Sequence, residues 1–180
     1  MRKIVFLAIL ASVAGCSGSS ASGSTEEVQA AKLMHGLEDK LVMGQTNLNL
    51  TRTSPAAFSV ASPNPDQGMA FTVTKLGKCK YQTYVEINGE KGPSAKFTTD
   101  LTGLVTDGYP PSQPQGGKLR VLKGANVTCE PVRQVDPSGG PGKANLCEYF
   151  KQPETVIALR DISGSDLSAL ASKFRQDFCQ

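Results

Sequence analysis

KCKYQTYVEI, residues 78–87, is the stretch on which the reading of this chain turns. Cys79, Tyr81, Thr83, Val85 and Ile87 fall on one side of an extended backbone and Lys78, Lys80, Gln82, Tyr84 and Glu86 on the other. That period of two is the mark of a strand with one face in a core and one face in water. Asn88-Gly89 follows, a dipeptide suited to a tight hairpin, and the next strand-like run is SAKFTT around Phe97. Loop parity decides where Phe97 points. A two-residue loop pairs Ile87 with Glu90 and turns Phe97 outward, whereas three or five residues, such as NGEKG, set Ala95 and Phe97 beside Val85 and Thr83. A buried Phe97 therefore requires an odd loop.

Working outward, further strands are expected at 48–50, 57–61, 69–76, 119–122, 126–132 and 155–162. In the 126–132 run Val127 and Cys129 share a face opposite Thr128 and Glu130. A helix is expected over 25–43, with Ser24 and Glu27 at capping-box spacing and Gly44 as the left-handed stop. Val28, Ala31, Met34, Leu37 and Leu41 form its apolar stripe, and His35 lies beside it as a surface or boundary residue. A second helix is expected over 166–177, capped by Ser165, with Leu167, Leu170, Ala171 and Phe174 on one side. The fold class is thus α+β: an antiparallel sheet of about five to seven strands with an N-terminal and a C-terminal amphipathic helix packed on it, stapled by disulfides. Two turn-rich segments interrupt it, GYPPSQPQGG at 108–117 and DPSGGPGK at 136–143.

The N-terminus has a different character. Met1-Arg2-Lys3 is a basic start, residues 4–10 are an apolar run, and small residues lead to Cys16. The run is too short for a permanent membrane helix. Val13-Ala14-Gly15-Cys16 resembles the lipobox of bacterial lipoproteins, with Val where Leu is commonest. The resemblance covers residues 1–17 and implies cleavage before Cys16, attachment of diacylglycerol to its sulfur, and anchoring by several acyl chains. Ser17 is not the Asp associated with inner-membrane retention in that family, so the implied location is the outer membrane, with the domain on its periplasmic face. Residues 17–25, mostly Ser, Gly and Ala, are expected to form a flexible tether. The layout is a signal peptide at 1–15, a lipidated cysteine and tether at 16–25, and a single domain at 26–180.

Cysteine parity agrees with this layout, since five cysteines leave one unpaired and lipidation removes Cys16. In an oxidising compartment Cys79, Cys129, Cys147 and Cys179 are expected to form two bridges. Cys79 and Cys129 both lie on expected core faces, which favours Cys79 with Cys129 and Cys147 with Cys179, one of three possible pairings.

Composition and motifs restrict function more than they specify it. Net charge is +3, two charges of which are Arg2 and Lys3, too little to argue for nucleic acid. Without Trp and with few aromatics, a large stacking surface is not expected. No CxxC pair occurs, and His35 is the only histidine, so neither a metal site nor a His-oriented catalytic triad is expected. There is no GxSxG elbow, Walker loop or dinucleotide fingerprint, and DISGSD at 161–166 lacks the spacing of a calcium loop. Neither a catalytic residue nor a cofactor is assigned.

Residues 75–133 carry nine basic residues against five acids. Within them Lys78, Lys80 and Tyr84 share the expected wet face, either as a docking patch for an anionic partner or as a sheet face kept soluble by lysine. Three classes of function stay open: an accessory protein of an envelope assembly, a ligand-binding or hydrolase-inhibiting module using a rigid loop at 109–117, and a carboxylate hydrolase.

Overall fold

The computed structural model describes residues 25–37, 42–43, 46–51, 55–61, 68–109, 120–135, 145–149, 155–156 and 164–180. The signal segment, Cys16, residues 17–24 of the tether, and the loop segments 110–117 and 136–143 lie outside them. The elements run α1 (Glu26–His35), β1 (Val42–Met43), β2 (Thr46–Thr51), β3 (Ala56–Ala61), β4 (Gly68–Gly77), β5 (Lys80–Ile87), a 3-10 turn (Gly89–Lys91) and β6 (Ser94–Asp100). They continue as β7 (Arg120–Val121), β8 (Asn126–Arg133), α2 (Leu146–Tyr149), β9 (Thr155–Val156) and α3 (Gly164–Phe178). One antiparallel sheet has the order β1-β2-β3-β4-β5-β6-β8, and β7 pairs with β9.

The register converts the alternation of residues 78–87 into rows across the sheet. Phe58, Phe71, Val85 and Ala95 are successive partners in one row, and Ala56, Val73, Thr83, Phe97 and Cys129 in the next. The first four residues of each row are buried, and removing each large apolar side chain from water contributes roughly 1.5–3 kcal/mol. The hairpin parity follows the requirement set by Phe97. Val85 pairs with Ala95 and Thr83 with Phe97, Ile87 N–H donates to the Pro93 carbonyl at 3.1 Å, and the loop is the five residues 88–92. Asn88 adopts a left-handed backbone there, and its Oδ1 accepts from Gly68 N–H at 3.3 Å. Arg133 Nε donates to the Gly92 carbonyl and Nη2 to that of Gly89, so β8 clamps the loop.

Among the described residues three helices meet the core face. α1 touches it through His35 at Thr83 and Glu26 at Tyr81, and α3 through Phe174, whose ring meets Tyr81 edge-on at 5.7 Å. α2, a single turn that periodicity does not reveal, is joined to β8 by Cys147–Cys129. Val28, Ala31, Met34 and Leu37 are buried as the stripe requires, together with Leu167, Ala171 and Phe174 of α3.

Several expectations need correction. α1 ends at His35, not near residue 43, because Gly36 takes the left-handed conformation (φ 68°) and its N–H returns to the Lys32 carbonyl at 2.9 Å. Its N-cap is Thr25, whose Oγ1 accepts from Val28 N–H, not Ser24. His35 is 2% exposed. It stands seven residues after Val28, two helical turns along the same stripe, so the helical period itself carries it inward.

Cys79 is not a strand residue but lies in the two-residue turn between β4 and β5 with φ 56°. The expected cysteine pairing is also overturned: Cys79 pairs with Cys179 and Cys129 with Cys147, at Cα separations of 5.2 and 5.6 Å. β6 lies between β5 and β8, which alone separates the outer two strands by about 10 Å. Cys129 also shares its row with Thr83, four residues from Cys79. A Cys79–Cys129 bridge cannot span that gap.

Candidate functional site

The face of the sheet opposite the core is built from the same alternation. Ala57, Thr72, Tyr84, Lys96 and Glu130 form one row, Thr74, Gln82, Thr98 and Thr128 a second, and Lys80, Asp100 and Asn126 a third. These side chains are half-buried or exposed. Every contact of α1, α2 and α3 with the sheet named above is made through the other face. Among the described residues this outer face is therefore the broad polar surface of the domain.

Of the three residues proposed from sequence as a docking patch, two are brought together. Lys78 occupies the β4–β5 turn, Lys80 opens β5, and both are exposed. Tyr84 lies four residues further along β5, about 13 Å away, with Gln82 between. Its hydroxyl donates to Glu86 Oε2 at 3.1 Å. Glu86 is also held by Arg133 Nη2 at 3.1 Å, so the ring is fixed rather than free to reorient. Acids are interleaved with the bases. Lys80 and Asp100 are register partners, as are Lys96 and Glu130. The Asp100 carboxyl is held below its ordinary value by hydrogen bonds from the Thr102 side chain and backbone, and to a smaller degree by the Lys80 charge.

Sequence reading missed a second cluster, along the sheet-facing side of α1 from its first residue to its last. Glu26 Oε2 lies 2.7 Å from Lys75 Nζ, and Glu26 Oε1 accepts from Tyr81 O–H at 2.5 Å. Burial, followed by the hydrogen bond to the Glu26 carboxylate and the charges of Glu26 and Glu27, raises the Tyr81 phenol far above its ordinary value. His35 Nε2 and Thr83 Oγ1 are 2.7 Å apart. The only sequence signal for this cluster was the helical phase of His35. The partners come from strands some fifty residues away, and no local pattern announces them.

A groove of about 190 Å³ between α1 and α3 is lined by Gln29, Leu170, Lys173, Phe174, Asp177 and Phe178. Lys173 and Asp177 pair across one helical turn at 2.7 Å. Of the expected recognition loop at 109–117, Tyr109 is described: it is buried, and its hydroxyl donates to the Val105 carbonyl at 2.7 Å. Among the described residues no group of three or more His, Cys, Asp or Glu side chains is arranged to hold a metal ion, and no helix is long and apolar enough to cross a membrane. No family model, curated protein or solved structure matches this chain.

Proposed function

We propose that this chain is a lipid-anchored envelope protein, held at the periplasmic face of the outer membrane through Cys16, that acts without catalysis as an accessory or assembly factor for a larger complex of secretion or pilus type. The observation that carries this reading is the one-sided build of the domain. The described helices contact one face of a doubly stapled sheet, and the opposite face presents Tyr84, Gln82, Thr98, Lys96 and Glu130 in fixed rows. A rigid face with bases and acids interleaved suits recognition of a matching protein surface, because charge complementarity sets register and excludes wrong partners. The lipobox-like leader supplies the address, and residues 17–24 supply reach.

The test is crosslinking in the intact envelope of the native host, followed by affinity purification and mass spectrometry, with Cys16→Ser as the unanchored control. A defined multiprotein complex that fades in the control supports the reading. Recovery of the protein alone from the membrane rejects it.

A second reading, a ligand-binding or hydrolase-inhibiting module of the envelope, is favoured by the groove between α1 and α3, whose Phe174 and Phe178 rings lie 5.1 Å apart. A Leu170→Arg substitution fills that groove. Loss of a ligand or of an inhibited enzyme on this change, with the complex intact, selects the second reading.

A further inference from the structure

We infer that the β4–β5 turn, through Lys78 and Lys80, rests on anionic lipid headgroups of the membrane that holds the anchor, so that the domain sits on the bilayer by this end with its outer sheet face turned to the protein partner. This rests on the anchored reading above and names what the two lysines meet. Three observations carry it.

The first is where the chain leaves the anchor. α1 starts at Glu26, and Glu26 grips Lys75 and Tyr81, which are register partners in β4 and β5. Lys78 lies three residues beyond Lys75, about 10 Å along the strand. The base of α1 and the lysine turn are therefore at the same end of the sheet.

The second is the length of the connection. From Cys16 to Thr25 the chain spans at most about 30 Å. Lipidation at Cys16 thus keeps the lysine turn within a short distance of the headgroups, and contact becomes an intramolecular event at high effective concentration.

The third is the state of the two side chains. Lys78 and Lys80 are exposed, and among the described residues neither ammonium makes a hydrogen bond or a salt bridge, although the Lys80 charge acts on its register partner Asp100. The acids nearby are engaged elsewhere, Asp100 by Thr102 and Glu26 by Lys75 and Tyr81. Two exposed ammonium groups at an anionic surface each bias the orientation by about five-fold, enough to select one pose for a domain already tethered. Tyr84 stays on the outer face for protein contact.

The test uses the full-length acylated protein reconstituted in vesicles of phosphatidylcholine alone or of phosphatidylcholine mixed with phosphatidylglycerol. The readout is the rate at which a water-soluble amine reagent labels each lysine. Labelling of Lys78 and Lys80 is expected to slow at least five-fold on the anionic vesicles and recover in high salt, with Lys96 and Lys91, the latter in the loop at the other end of β5, unchanged. Lys78→Glu with Lys80→Glu is expected to leave vesicle association intact and to abolish salt-sensitive protection of amide exchange in residues 76–82.

Equal labelling on both vesicle types, with the protein vesicle-bound, overturns the inference and leaves the anchor standing. Protection of the two lysines in native envelopes but on neither vesicle also overturns it, assigning them to a protein. Failure of the protein to float with either vesicle overturns the anchor and this inference together.

Discussion

Cys79, at the turn between β4 and β5, is bridged to Cys179, the residue that follows α3, and so ties the middle of the sheet to the C-terminal helix across 100 residues of sequence. The Cys129–Cys147 bridge closes a span of 18. In the chain-entropy model the longer closure constrains the unfolded chain more, by about 4.7 kcal/mol against about 3. Peptide mapping without reduction is expected to recover these two pairs. Replacing Cys79 and Cys179 by Ser is expected to lower stability to urea more than replacing Cys129 and Cys147. A Cys79–Cys129 peptide in the map contradicts the topology.

Tyr81 predicts an alkaline limit to stability. Its phenol is raised first by burial and then by the Glu26 carboxylate, so the native state keeps a proton that the unfolded chain loses above the ordinary tyrosine value of about 10. The native state then binds more protons than the unfolded state. The contribution is fully present below pH 10 and is lost as pH rises beyond it. Tyr109, raised mainly by its own burial, acts in the same direction. Urea unfolding at a series of alkaline pH values is expected to show this decline, and Tyr81→Phe to make it shallower.

Thr83→Val keeps the β-branched shape in the centre of β5 and removes the hydroxyl that faces His35 Nε2 at 2.7 Å. Both residues are buried, so a lost partner is not replaced by water. The expected cost is about 1–3 kcal/mol in urea unfolding. Thr83→Ser keeps the hydroxyl and is expected to retain more of the stability. Equal losses in the two variants would show that packing, not the hydrogen bond, matters at this position.

Gly124 has φ 77°, and a Cβ there would stand 2.0 Å from the Gly103 carbonyl oxygen. Gly89 also has a positive φ, 58°, but faces open space. Gly89→Ala is expected to cost about 1–2 kcal/mol, the left-handed penalty alone. Gly124→Ala carries that penalty plus displacement of the loop at residue 103, where Val105 N–H donates to the Lys123 carbonyl at 2.9 Å. Thermal unfolding of the two variants measures the difference, and similar melting temperatures would mean that the 122–125 turn moves aside.

The legible parts of this fold were the periodic ones. The alternation of residues 78–87 placed Tyr81, Thr83 and Val85 inward, and parity tied a buried Phe97 to an odd loop. The stripe of α3 was equally plain, since Leu167, Ala171 and Phe174 recur at helical spacing. The end of α1 is not legible in the sequence, because two glycines, Gly36 and Gly44, could each supply the stop and local sequence does not say which takes the left-handed conformation. Of the candidate patch, sequence placed Lys80 and Tyr84 on one face. It could not show that Tyr84 is held by Glu86, itself paired with Arg133, while the Lys78 and Lys80 ammonium groups make no hydrogen bond among the described residues.

Sequence by itself determined the inward side of β5 and the apolar stripes of α1 and α3, because a period of two or of 3.6 is a local property of the backbone. Strand order belonged to the tertiary structure. Only with β6 set between β5 and β8 is Cys129 removed from Cys79 and given to Cys147, and only with α3 laid beside α1 does Cys179 reach the β4–β5 turn. Glu26 and Lys75, or His35 and Thr83, meet for the same reason: neighbours across a sheet are set by which strands pair, and that choice depends on how all the apolar faces can be buried at once.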